Sequence, residues 1–532
     1  MSGTGSGGGA DHHIFTIGGI VIVLLIVLYV VLGVALERCH CNFGHEASLV
    51  IIVGASISYM AYAIGFSQFN EAVSFDHNIF FYFCLPPIVF ASGFNMKRKV
   101  FFENFTSVLI FGVFSTIVQF VLFSFGLYLI NNMGLFTKYN FFTGESTPFQ
   151  LSMMEILLMC SLICSSDVVA AIAVVKYEQQ PKLFSVIFGE GITNDAVGII
   201  LFNTVVTYAG PKSQFNYATP VKILGSFLYL CTFSIVIGGL IGFISSMIFK
   251  KFRILTHSAI IECALMFCFG YLSYVTAEFI EVSGIVSLLA CGIFMGQFTW
   301  YNLSPQGKHS TSIAFQVIGY MIEAFVFSYL GLTIFSYMDH DWSLGLCIGM
   351  LINVVVLRTV GTIGIIKIIE LFGYKSGLSL KDLLFIAYAG MIRGAVAFGL
   401  VLRIDDGAID NRSVIVTSSL TLVIASTIFM GSTVSTVQRM LFGDLSKQQA
   451  PPVDTQAAAE NGDNKLIKQG SVASHHEMFL HPNFDKDAAK EEAKQNTSTM
   501  SKLGAQFIER IDGRSRGAIQ DPETALDSPP QF

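Results

Sequence analysis

Charge is what this 532-residue chain has least of. Only 13% of its residues are Asp, Glu, Lys or Arg, against roughly 25% in soluble domains, while 53% are hydrophobic. That balance excludes a water-soluble globular protein and implies a polytopic helical membrane protein. A disulfide framework is missing too. Most of the ten cysteines (Cys84, Cys160, Cys164, Cys231, Cys263, Cys268, Cys291, Cys347) sit inside apolar runs, the usage of buried thiols. "CHC" at 39–41 with His45 offers ligand-type residues, but no second cluster matches it, so no metal centre is expected. The first apolar run, 14–36, lacks the basic flank of a secretory leader and exceeds an h-region of about 15 residues, so it reads as a retained span. GxxxxGK[ST] and HExxH are absent, which argues against an ATP-driven pump or a zinc-dependent intramembrane enzyme. No TVGYG-like loop is present, as a selective channel would want. All eleven histidines lie in termini, loops or span ends.

What is there is a succession of apolar runs. A hydrocarbon core of about 30 Å needs about 20 apolar residues per helix. Thirteen runs meet that measure, near 14–36, 47–66, 78–94, 104–130, 152–175, 184–209, 220–249, 257–278, 282–299, 312–337, 342–372, 382–403 and 413–442. One set of alternate loops holds Arg38, Lys97, Arg98, Lys99, Lys176, Lys182, Lys250, Lys251, Arg253, Lys308, Lys375 and Lys381; the other is rich in acids, including Glu71, Asp76, Glu145, Asp339, Asp341 and Asp405. The positive-inside rule places the first set and the C-terminus in the cytosol. Residues 1–13 are expected to be disordered, 14–443 to form the membrane domain, and the polar, Pro-rich stretch 444–532 to be a mostly disordered cytosolic regulatory tail. "NRS" at 411–413 is a glycosylation sequon on the far side.

Several ionisable residues fall inside these spans, among them Asp167, Glu190, Asp195, Glu323, Arg358 and Arg393. Each costs about 2.5–3.5 kcal/mol at a helix centre on insertion scales, so each is a functional candidate. The plainer reading is that Glu190, Glu323, Arg358 and Arg393 pair off and hold helices together. Asp167 and Asp195 then remain as an excess of acid, which is what a cation site needs. Desolvation and a neighbouring carboxylate both favour the protonated form, so such a group can hold either a proton or a metal cation. Asn194 beside Asp195 supplies an amide without a second charge. "LICSSDVVAA" (162–171) puts Ser165, Ser166 and Asp167 mid-span, and "AYAGMIRGAVAFGL" (387–400) sets Gly390 and Gly394 around Arg393. Both stretches weaken helix, and they fall in the fifth and twelfth spans, seven apart. Two inverted six-helix repeats joined by a linker helix would make these discontinuous helices equivalent, a pattern that marks transporter sites near the midplane; the glycines alone also fit close helix packing.

At these residues the sequence resembles the monovalent cation:proton antiporters, specifically the eukaryotic sodium/proton exchangers. "FGEGITNDAV" (188–197) is similar to the family's sixth-helix signature, and "SSDVVAAIAV" (165–174) to its unwound fifth-helix crossing. "FFYFCLPPIVFASGF" (80–94) with "KRKVFFENF" resembles the third-helix segment linked with amiloride-type inhibitors (Leu85, Pro86, Pro87, Phe90). "YLSYVTAEFIEVSGIVSLLACGIFM", "EAFVFSYLGL", "LRTVG" and "YAGMIRGAVAF" follow in family order. The resemblance implies that Asp195 carries cation or proton, that Asn194 is its partner, and that Asp167 and Ser166 complete a site for transported sodium or potassium. It implies an Arg393–Glu190 pair, with Arg358 and Glu323 as supporting charges. It implies electroneutral exchange by alternating access, a homodimer, and no cofactor. The other expected partners are lipids and a tail-binding regulatory protein, with no nucleic acid; the expected location is an endomembrane (endosome, Golgi or vacuole), the plasma membrane being the alternative. Other readings are a potassium-selective organellar exchanger, an ion channel, and a non-transporting receptor or scaffold. Two positions depart from the family pattern: Val168 stands where many members have proline, and Gly191 where many have serine, which removes one hydroxyl.

Overall fold

The computed structural model describes residues 7–39, 44–66, 68–69, 77–96, 98–141, 143–175, 177, 179–208, 218–373, 376–404 and 409–443. The tail after 443 and residues 40–43 of the Cys-His-Cys stretch lie outside them.

Eleven helices among the described residues are long and apolar enough to cross a membrane. In chain order they are α1 (Gly7–Cys39), α2 (Glu46–Ala63), α3 (His77–Asn95), α4 (Phe105–Asn132), α6 (Pro181–Tyr208), α7 (Thr219–Lys251), α8 (Ala259–Phe279), α9 (Gly284–Asn302), α10 (Pro305–Tyr337), α11 (Leu344–Leu371) and α13 (Arg412–Phe442). The remaining two expected spans are each split. The fifth is α5a (Met153–Ile163) and α5b (Val169–Val174); the twelfth is α12a (Leu380–Ala389) and α12b (Ala395–Val401). The first halves begin alike. Ser152 and Ser379 cap them, and Glu155 and Asp382 close capping boxes three residues on. Helix α1 begins at Gly7, inside the stretch 1–13 expected to lack order. A short hairpin, β1 (Thr137–Tyr139) with β2 (Ser146–Pro148), was not foreseen; Gly144 turns its tip at φ 68°.

Loop contacts fall on two faces. On one, Tyr139 N–H donates to Trp342 O (2.7 Å), Lys138 pairs with Asp341 (3.5 Å), and Asp341 N–H donates to Ser413 Oγ (2.8 Å). On the other, Glu262 in the first turn of α8 accepts from Ser304 N–H and Oγ (2.9 and 2.7 Å). Loops that touch are thus an even number of crossings apart. The Asn411 side-chain amide donates to Gln150 O and Glu155 Oε2 (3.3 and 3.2 Å), so the sequon's acceptor nitrogen is already engaged by the fold.

Helix α6 carries Glu190, Asn194 and Asp195, and it is enclosed: 78% of its most apolar window is buried, against 11% for α1. Polar groups that would be costly against lipid are covered by protein instead. Small residues allow the close approaches. On α7, Gly238 and Gly242 lie four apart and take the backbone of α9; a Cβ on Gly238 would come within 2.0 Å of Ser287 O. Gly225, on the same helix, has nothing within 4 Å. Gly238→Leu therefore lowers the melting temperature of the detergent-solubilised protein by several degrees, while Gly225→Leu leaves it within about a degree, as surface changes do. Equal losses in the two melting curves would show that the α7–α9 seam does not limit stability.

Candidate ion site

The breaks in α5 and α12 cross one another. Within a bilayer, backbone groups freed by a break must find partners in protein. Here they find each other: Asp167 N–H donates to Ile392 O at 2.9 Å, and Arg393 Nη1 donates to Ser165 O at 2.6 Å. A third element clamps the crossing. Ser426 Oγ accepts from Arg393 N–H (3.1 Å) and Thr427 Oγ1 donates to Arg393 O (2.8 Å), both from a π-helical turn, Ser426–Gly431, inside α13. Such turns widen the helix and release backbone polarity where it is needed. The glycines flanking Arg393 are demanded by space. A Cβ on Gly390 would lie 2.0 Å from the Arg358 guanidinium, and one on Gly394 would lie 2.9 Å from Asp167 Cβ.

The expected charge pairing is corrected. Arg358, not Arg393, forms the ion pair with Glu190, and both side chains are buried. Arg358 comes from α11 and meets Glu190 as it crosses α12a at Gly390. Arg393 makes no ion pair with Glu190. Its guanidinium turns to the carboxyl end of α5a, where the free carbonyl of Ser165 and the helix dipole favour a cation. The Phe123 ring covers it at 5.7 Å. Glu323, expected to balance an arginine, instead accepts from Tyr29 Oη of α1 at 3.3 Å.

A cavity of about 220 Å³ opens beside the crossing, lined by Ser166, Asp167, Asp195 and Glu323 and, on α3 and α10, by Asn95 and Gln316. Asp195 Oδ1 accepts a 2.5 Å hydrogen bond from Ser165 Oγ, and its charged neighbours are Asp167 and Arg393. Asn194 is fully buried behind the residues that line this space; its Nδ2 donates to Ser166 Oγ at 2.7 Å, which orients a cavity-lining hydroxyl. Asn194 Oδ1 has no hydrogen-bond partner among the described residues. Leu85 of the third-helix segment lines the same cavity, and Phe90 packs beneath it on Phe315 (4.7 Å between ring centroids). Two contributors escaped the sequence reading. Ser165 stood out only as a helix breaker, yet it holds both Asp195 and Arg393. Tyr29 lies 294 residues from Glu323 in an unremarkable apolar run, with no local signal.

Three carboxylates thus line one cavity inside a helical membrane protein, and the arginine beside them faces helix carbonyls. The comparisons with known proteins are more particular. The family model described as sodium/hydrogen exchanger, transmembrane, matches residues 23–439, and the chain belongs to that family. It is 29% identical over 435 residues to sodium/hydrogen exchanger 3 of Arabidopsis thaliana, covering 79% of this chain and 83% of the relative. It is 28% identical over 425 residues to human sodium/hydrogen exchanger 8, covering 79% and 70%. Among solved structures, the sodium proton antiporter MjNhaP1 from Methanocaldococcus jannaschii shares the fold with a TM-score of 0.59 at 16% identity, covering 81% of this chain and 98% of that one.

A double-mutant cycle checks the pairing. Removing Glu190 strands the Arg358 charge in the interior, and removing both relieves it. The Glu190→Gln/Arg358→Gln cycle is therefore non-additive by about 2 kcal/mol in unfolding free energy, and Glu190→Gln/Arg393→Gln is close to additive. The reverse outcome would reinstate the Glu190–Arg393 pair.

Proposed function

We propose that this exchanger moves one sodium or potassium ion against one proton, with no net charge, by presenting Asp195 to the two sides of the membrane in turn. The observation that carries the reading is the placement of Asp195 in a cavity with Asp167 and Glu323, held by one serine hydroxyl rather than neutralised by an arginine. One carboxylate that takes a proton or a metal ion has the same charge in either loaded state. Asn194 in place of a second acid keeps the exchanged charge at one. Asp167 and Ser166 supply further oxygens to the transported cation, and Asn194 sets the Ser166 hydroxyl. Arg358 with Glu190, and Arg393 at the α5a terminus, hold the crossing in register. The equivalent capping and breakage of α5 and α12 support two inverted repeats. The acidic loops face a lumen, the basic loops and the tail face the cytosol, and an endomembrane is the location we favour. Two copies assemble as a dimer, and residues 444–532 take a regulatory partner. The segment Leu85, Pro86, Pro87 and Phe90 is the place for an amiloride-type inhibitor, since Leu85 reaches the ion cavity.

A second cavity, of about 210 Å³, supports the alternating part of the reading. It is lined by His77, Asn203, Glu278 and Arg403, and Ile285 of α9 lines both cavities. Ile285 is 3% exposed and stands in the wall between the two cavities, with Phe80 lining the first and Phe81 the second.

Reconstitution tests both parts. In proteoliposomes, Asp195→Asn abolishes sodium- and potassium-driven proton flux while the protein keeps its melting temperature, and clamping the membrane potential leaves the wild-type rate unchanged; flux by the variant removes Asp195 from the carrier role. Ile285→Gly opens the wall and lets protons leak without a cation gradient, so a tight Ile285→Gly variant would mean that the barrier lies elsewhere.

A further inference from the structure

The family resemblance singled out Val168 and Gly191 separately, and the fold sets the two positions against each other. Gly191 lies on α6 four residues before Asp195, on the same face of the helix. Val168 follows Asp167 directly at the α5 break. Both residues line the ion cavity. A Cβ built on Gly191 would sit 2.0 Å from Val168 Cγ2 but 3.4 Å from Val168 Cβ and 3.7 Å from Cγ1. The conflict is thus with a single methyl group. That methyl has little room to turn away. Val168 is 5% exposed, its carbonyl accepts from Ala171 and Ile172 N–H (3.0 and 2.9 Å) to start α5b, and a β-branched side chain has few rotamers to choose from.

We propose that Val168 and Gly191 form one steric unit that determines cation preference: the Val168 methyl fills the volume a side chain at 191 would take, and so keeps a hydroxyl out of the wall one helical turn from Asp195. The inference rests on the exchange reading above. A small alkali cation holds its water more tightly than a large one, so it loses more when a polar oxygen is missing from the wall that must replace that water. A wall made of a methyl and a bare Cα supplies none. This chain therefore discriminates weakly against potassium, and the discrimination is set by position 168 as much as by position 191. The geometry also specifies how to reverse it. Shortening Val168 to alanine leaves only the Cβ at 3.4 Å, an ordinary contact, which makes room for serine at 191.

Full-length wild type, Val168→Ala, Gly191→Ser and the double variant are compared in proteoliposomes for sodium- and potassium-driven proton flux, with melting temperatures read in parallel. Gly191→Ser alone lowers flux with both cations about tenfold, as an overpacked contact does. Adding Val168→Ala brings the flux back to within about threefold of wild type, the non-additivity of neighbours that share a space. The double variant also shifts the sodium-to-potassium ratio of half-saturating concentrations toward sodium by about tenfold, the scale of one added polar ligand. A double variant as poor as Gly191→Ser overturns the steric unit. Recovered flux with an unchanged cation ratio overturns the selectivity role. Where Gly191→Ser does not fold, the double variant must fold; if it fails as well, the proposal fails. A wild type without cation-driven flux refutes the exchange reading instead, and the melting temperatures of the four proteins still decide whether the two positions share one volume.

Discussion

Two helices stop partway through the membrane, and their ends have to be satisfied without water. That constraint organises the rest of the structure. The break in α5 frees the carbonyl of Ser165 and the amide of Asp167; the break in α12 frees the carbonyl of Ile392 and both backbone groups of Arg393. Each of these groups bonds across the crossing or to the π-turn of α13. An arginine is well suited to the carboxyl end of a half-helix, because its charge opposes the dipole and its N–H groups reach the unpaired carbonyls. Once Arg393 is committed there, it is not available to neutralise Asp195 by direct pairing. The acid excess at the cavity is thus a consequence of how the broken backbone is repaired.

The same logic separates the two arginines. Glu190 and Arg358 satisfy each other on α6 and α11, at the point where Gly390 leaves the guanidinium room beside α12a. A buried pair of this kind adds little net stability over apolar packing but makes either partner costly to lose. It ties the helix that carries Asp195 to the helix that backs the crossing. On the opposite wall, Glu323 leans on Tyr29 of the peripheral helix α1. The cavity is therefore backed on one side by the Arg358–Glu190 pair and on the other by the Tyr29–Glu323 and Ser312–Asn95 hydrogen bonds.

Much of this could be read in the chain before any coordinates. Low charge and repeated apolar runs are local properties, and they located the long helices. The interruptions at Ser165–Asp167 and Gly390–Gly394 are local too, because serine, aspartate and glycine weaken helix wherever they stand. The reading went astray where it turned a list of charges into pairs. Two acids and two bases admit more than one matching, and the family resemblance favoured Glu190 with Arg393. Glu155 and Glu262 were passed over although both lie within expected spans; they cap helix ends and bind loop amides, a use that no hydropathy plot distinguishes. Asn194 was expected as the partner of Asp195, and the bond its amide makes is to Ser166, a contact between helices that the sequence does not display.

The amino-acid sequence by itself determined the class of protein, the order of its helices, the two places where they fail and the acids available for a site. These follow from hydropathy and helix propensity, which act over one or two turns of chain. Only the tertiary structure decided which arginine meets Glu190 across 168 positions, that Glu323 turns to a tyrosine 294 residues away, and that Val168 closes over Gly191. Such choices depend on how helices approach and rotate against one another. Packing of that kind is a property of surfaces assembled from distant segments, and no single segment contains it.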